Sequence, residues 1–124
     1  MWEYFNPNPA ARAVGDCSVR AISAALGVSW DEAFDMLAHN AREMCDMPSS
    51  DAVWGSVLRQ HGFVRSIIPN SSPDCYTAEE FAEAFPRGTY VLCFGGHVAT
   101  VKDGILMDSW DSSQEIPAYM WMRR

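Results

Sequence analysis

Two positions in this chain carry side chains, in local settings, that suit thiol chemistry. Gly15-Asp16-Cys17 runs straight into the apolar-periodic segment Val19-Arg20-Ala21-Ile22-Ser23-Ala24-Ala25-Leu26, which places Cys17 at the start of a helix. Further on, Gly95-Gly96-His97-Val98-Ala99-Thr100-Val101 is followed by Lys102-Asp103-Gly104 and then by Ile105-Leu106-Met107-Asp108-Ser109-Trp110. Asp-Gly between two apolar runs signals a two-residue type I′ hairpin turn, with His97 on one strand and Asp108 on the other. A thiol nucleophile, an imidazole base and a carboxylate that orients the base are the parts of a cysteine hydrolase. The plainer readings are a small buried cysteine at a helix start and a satisfied strand histidine.

The hairpin register ties the last two together. If Asp103-Gly104 forms the turn, Lys102 pairs with Ile105, Ala99 stands opposite Asp108, and His97 stands opposite Trp110. Side chains alternate along a strand, so His97, Asp108 and Trp110 share a face, with Asp108 diagonal to His97 at about 7–8 Å between Cα atoms. A slip of one residue would send Asp108 to the other face. Asp111, one residue beyond Trp110, competes with Asp108 for the third role. Trp110 beside the pair can shield it from water and strengthen the His–Asp interaction, or be plain core.

A thiol at a helix start feels the positive end of the helix dipole and unpaired backbone N–H groups, both of which favour thiolate. Asp16 works against thiolate unless it caps the helix. Arg12 and Arg20 flank the cysteine and can hold an acidic or phosphorylated ligand; the plainer expectation is that they pair with carboxylates.

The elements that must position these groups follow from periodicity and punctuation. The segment 1–14, with Asn6-Pro7-Asn8-Pro9, is expected to be extended or turn-like. A first helix spans Asp16 or Cys17 to Leu26 and stops at Gly27. A second opens with the capping-box pattern Ser29-Trp30-Asp31-Glu32 and buries Trp30, Phe34, Leu37 and Ala41. A third starts near Ser50, ends at His61-Gly62, and turns Val53, Trp54, Val57 and Leu58 inward. Cys45-Asp46-Met47-Pro48 before it is a loop that can wall a cleft or simply pack. A strand Phe63 to Ile68 is stopped by Pro69-Asn70. Thr77-Ala78-Glu79-Glu80 opens a short helix to Phe85, and Pro86-Arg87-Gly88 turns into a strand Thr89 to Phe94.

Composition limits the classes open to the chain. The 124 residues suit one domain, with a helical half over about 1–62 and a mainly β half over about 63–124. Net charge is −7, with eight Arg and one Lys, which argues against a nucleic-acid polymer or an anionic membrane as partner. No stretch is long and apolar enough to span a bilayer, and Met1 to Pro7 lacks the basic and apolar regions of a secretory signal. Cys17, Cys45, Cys75 and Cys93 form no Cys-x-x-Cys pair, so no metal site or cofactor is argued and reduced thiols in a cytoplasmic protein are expected.

In this order, a cysteine at a helix start, a histidine on a strand and then Asp108-Ser109-Trp110 resemble the papain-like cysteine peptidases, whose Asn-Ser-Trp the last triplet matches with Asp in place of Asn. The Gly15-Asp16-Cys17 helix is similar to that family's nucleophile helix. The resemblance implies an α+β, papain-like fold, with an N-terminal helical half carrying the cysteine packed on a small antiparallel sheet carrying His and Asp. It implies catalytic Cys17, His97 and Asp108 acting on a peptide, isopeptide or amide, or in acyl transfer. In that family a Gln six positions before the cysteine donates to the oxyanion. Ala11 stands there, leaving Asn6 or Asn8, with the Cys17 backbone N–H, as candidate donors, although turn-building is the simpler role for both. A second likeness, to phage- and prophage-encoded proteins, rests on Asn-Pro, Gly-Asp-Cys, Arg-Ala-Ile, Cys-Asp-Met-Pro and Val-Trp-Gly. The missing Gln and the Arg12/Arg20 pair keep open a non-catalytic protein that uses the same cleft to sequester a small anionic host molecule, such as a nucleotide signal, or to block a host protein.

Overall fold

Val19 and Ile22 turn one face of the first helix inward, and Gly27 ends it in the left-handed conformation (φ 67°), its N–H returning to Ser23 O. The computed structural model describes residues 1–69 and 75–123. Its helices are α1 (Cys17–Leu26), α2 (Trp30–Met44), α3 (Asp51–Gln60) and α4 (Ala78–Ala84). Its strands are β1 (Trp2–Tyr4), β2 (Phe63–Ser66), β3 (Thr89–Phe94), β4 (His97–Lys102), β5 (Ile105–Asp108) and β6 (Tyr119–Arg123). The fold class is α+β. Both capping signals mark real helix starts. Thr77 and Glu80 form the reciprocal box of α4, whereas at α2 Ser29 accepts from the Glu32 N–H and donates its hydroxyl to the Glu32 carboxylate.

The six strands form one sheet in the order β1-β5-β4-β3-β6-β2. This corrects the expected small antiparallel sheet: β1 joins β5 in parallel, with Trp2 opposite Leu106 and Tyr4 opposite Asp108, so the sheet is mixed. The boundary between a helical and a β half also shifts, because residues 2–4 belong to the sheet. The physical reason is that β5 would otherwise be an open edge, and Trp2-Glu3-Tyr4 is β-favouring sequence able to cover it. β6 occupies the position between β3 and β2, contributing buried Met120 and Trp121. β2 ends at Ser66, two residues short of the expected Ile68; of its stop signal Pro69-Asn70, Asn70 lies outside the described residues.

β3 is apolar without alternation because both its faces are covered. Val91 and Cys93 join Val19, Ile22, Leu37, Val53, Val57 and Trp121 in a core beneath α1, α2 and α3. Leu92 and Phe94 join Phe81, Ala99, Val101, Leu106 and Met120 in a second core beneath α4. The stripe of α2 differs from expectation: Ala33, Leu37, Asn40 and Ala41 are buried, while Phe34 is 42% exposed and stacks on half-buried Trp30 at 5.2 Å. Trp30 still packs against the first core while donating its indole N–H to Asp16 (2.9 Å), so Phe34 is the exposed member of the expected stripe.

The hairpin has the expected register. Lys102, Val101 and Thr100 face Ile105, Leu106 and Met107, and Asp103 (φ 49°) and Gly104 (φ 79°) both take the positive φ of a type I′ turn.

Candidate active site

α1 is fastened along β4 by two contacts: the Thr100 hydroxyl donates to Ala21 O (2.8 Å) and Lys102 Nζ to Ala24 O (3.5 Å). Running back four residues along the helix from Ala21 covers ~6 Å, and two residues along the strand from Thr100 cover ~7 Å. The first residue of α1 therefore arrives at the first residues of β4. There the Cys17 thiol faces the His97 side chain and the Val98 backbone, both of which favour its thiolate. His97 Nε2 meets Asp108 Oδ2 at 2.6 Å, leaving Nδ1 of the ring for the sulfur. Cys17, His97 and Asp108, predicted from spacing, are thus brought together, with His97 hydrogen-bonded to Asp108.

Asp108 is 1% exposed and fully partnered. Oδ2 also accepts from the Ser112 hydroxyl (2.7 Å). Oδ1 accepts from Arg20 Nη2 (3.1 Å) and the Ser109 N–H (2.8 Å). The Asp108 backbone carbonyl accepts from Phe5 N (2.8 Å) and the Trp2 indole (3.2 Å), so β1 anchors it from the sheet edge. Asp111 is exposed and accepts from the Ser113 N–H, which leaves Asp108 as the partner of His97.

The electrostatics follow from these contacts. Burial disfavours charge on His97, but the hydrogen bonds and negative charges of Asp108 and Cys17 outweigh it and push its pKa up to about 9. Burial likewise disfavours a Cys17 thiolate, but the bonds from His97 and Val98 and the positive charges of His97 and Arg20 outweigh it and pull the thiol below its ordinary value. At Asp108 burial is overcome by His97, Ser112 and the Ser109 N–H, so its carboxyl is held below the usual range. The two opposing shifts favour the thiolate–imidazolium form of the pair, the reactive state of such a thiol.

Asp16 does not cap α1 with its side chain. It is buried, and its carboxylate turns to Arg20 Nη1 and the Trp30 indole N–H. The backbone N–H groups of Cys17, Ser18 and Val19 therefore have no hydrogen-bond partner among the described residues. Arg20 is buried too, committed to Asp16 and Asp108. Arg20 thus pairs with carboxylates, the plainer of the two expectations, rather than standing free with Arg12 as a clamp for an anion, and it also borders the cleft. Arg12 is exposed and lends its backbone to the preceding turn.

That turn also accounts for the asparagines. Asn6 Nδ2 donates to Arg12 O (3.1 Å) and its Oδ1 accepts from Asn8 N, while Asn8 Oδ1 accepts from Ala10 N and Arg12 N. Ala11 sits in this turn at φ 55°. As candidate oxyanion donors Asn6 and Asn8 are therefore corrected: their side chains close an Asx-type turn outside the cleft.

The thiol opens into a cleft of about 680 Å³, walled by Ala13, Val14 and Gly15 on one side and by Gly96, Ser109 and Trp110 on the other. Ser49, at the end of the loop between α2 and α3, also reaches it. Trp110 is 44% exposed and lies 4.8 Å from the His97 ring, covering it rather than filling core. Sequence reasoning missed Ser112, Trp30 and β1; a hydroxyl four residues after Asp108 and an aromatic N-terminus were the available signals. Comparison with known proteins gives no matching family model, no similar curated protein and no similar solved structure. No helix among the described residues is long and apolar enough to cross a membrane.

Proposed function

We propose that the chain is a small papain-like cysteine hydrolase acting on a peptide, isopeptide or amide carbonyl. The observation that carries this reading is the convergence of Cys17, His97 and Asp108, with the thiol below and the imidazole above their ordinary pKa, beside an open cleft. The Cys17 thiolate attacks the carbonyl carbon, forming a carbon–sulfur bond and placing negative charge on the oxygen. The unpartnered N–H groups of the first turn of α1 are the donors for that oxygen, helped by the helix dipole. His97 gives its proton to the departing amine as the carbon–nitrogen bond breaks. Water then attacks the thioester, His97 takes its proton, and the acid is released with the thiolate restored; an amine in place of water gives acyl transfer. Asp108 keeps the His97 ring oriented and charged throughout.

The test is acylation by p-nitrophenyl acetate followed from the first turnover. A hydrolase gives a burst of p-nitrophenol and then steady turnover, both lost in Cys17→Ala. No burst, or a burst with no turnover and a permanently acetylated Cys17 by mass, overturns the reading.

A further inference from the structure

We infer that Asp16 and Arg20 form a positioning pair for the proposed chemistry, Arg20 fixing the Asp108 carboxylate against His97 and the two opposite charges together setting the potential at Cys17. The inference rests on the reading of Cys17 as the nucleophile. Arg20 follows Cys17 by three residues on α1, so its guanidinium lies beneath the same helix end. One arm reaches Asp16 and the other reaches Asp108 Oδ1 at 3.1 Å. With Oδ1 held there, Oδ2 is left to His97 (2.6 Å) and Ser112 (2.7 Å). The planar fork can hold two carboxylates at once, which an ammonium does less well.

A buried ion pair of this kind is poor evidence for stability, since its desolvation cost is comparable to its attraction. All three side chains here are nearly inaccessible, at 7% for Arg20, 6% for Asp16 and 1% for Asp108. The arrangement has a distinct chemical consequence. Asp16, adjacent in sequence to the thiol, would oppose a thiolate; paired with Arg20 and Trp30 its charge is offset and its carboxylate is kept off the α1 amides. The groups acting on Cys17 from the surrounding elements are His97 on β4, Asp108 on β5 through His97, the Cys93 thiol on β3, and Arg20 on α1, with Asp16 next to Cys17 in the chain and paired to Arg20. Of these, Asp16 and Arg20 can be changed while Cys17 and His97 are both kept.

The two members must therefore move the Cys17 titration in opposite directions. The experiment is thiolate absorbance against pH, taken as the difference from the matching Cys17→Ala protein, with thermal melting as a control for folding. Asp16→Asn leaves Arg20 uncompensated and lowers the Cys17 midpoint by about one pH unit; Arg20→Gln raises it by about the same. Arg20→Lys keeps the charge and leaves the midpoint near wild type. Equal midpoints in all variants, whatever their melting temperatures, or shifts of the same sign, overturn the inference. Should Arg20→Gln fail to fold, a midpoint in Asp16→Asn that is not lowered overturns it alone. A wild-type midpoint in the ordinary thiol range is a different result: it removes the nucleophile reading itself, and the inference with it.

Discussion

Asp16 immediately precedes Cys17 in the chain, yet its carboxylate is bound by the Arg20 guanidinium, which also holds Asp108. A residue that sequence alone marks as an obstacle to thiolate formation is thereby offset, and the acid of the candidate triad is tied to the helix that carries the nucleophile. The buried charges at this corner of the molecule are one connected set, and removing any member exposes the others.

Asp108 is the member with most partners, which separates two substitutions. Asp108→Ala leaves the Ser112 hydroxyl, one arm of Arg20 and His97 without an acceptor, and stability should fall by ~3 kcal/mol or more in denaturant titration. Asp108→Asn keeps the shape and one acceptor oxygen, so the loss of stability is smaller. Both remove the anion that favours charged His97, and turnover should drop on the order of 10²-fold or more.

His97 makes stability depend on pH with a definite sign. Its folded pKa, about 9, lies above the ordinary 6.5. The stability it contributes is therefore complete below 6.5 and is lost as pH rises through about 9. Urea melts of wild type and His97→Gln should differ most below pH ~6, by up to ~3 kcal/mol, with the gap narrowing through neutrality and closing above pH ~10. A gap that stays constant across this range contradicts a charged His97.

Asn6 and Asn8 close a turn and do not enter the cleft. Asn8→Ala should lower stability by ~1 kcal/mol and leave the rate of Cys17 alkylation at neutral pH unchanged. A large fall in that rate at wild-type stability would return Asn8 to the site.

Much of this site was legible in sequence because its determinants are local. The Asp103-Gly104 turn sets the hairpin register, and the register puts Asp108 within reach of His97. Gly27, Thr77 and the apolar spacing mark helix ends for the same reason. What could not be read depends on which segments meet in space. Trp2 and Tyr4 form a strand because β5 offers an edge, and the Trp30 indole N–H finds its acceptor in Asp16, which precedes another helix. Pairing with carboxylates is the plain expectation for Arg20, but its burial between two of them is set by the docking of α1 on β4. The Asn6-Pro7-Asn8-Pro9 composition was correctly turn-like, but only the folded turn shows that it occupies both asparagines.

The central claim is that Cys17 is a thiolate held by His97. The most direct measurement is the rate of Cys17 alkylation by iodoacetamide against pH, resolved by peptide mass mapping, in wild type and His97→Ala. The account predicts fast labelling that persists well below the free-thiol pKa of about 8.5 and reverts to an ordinary thiol profile in His97→Ala. Labelling of wild type that rises only near the free-thiol pKa, or a profile that His97→Ala leaves unchanged, would contradict it.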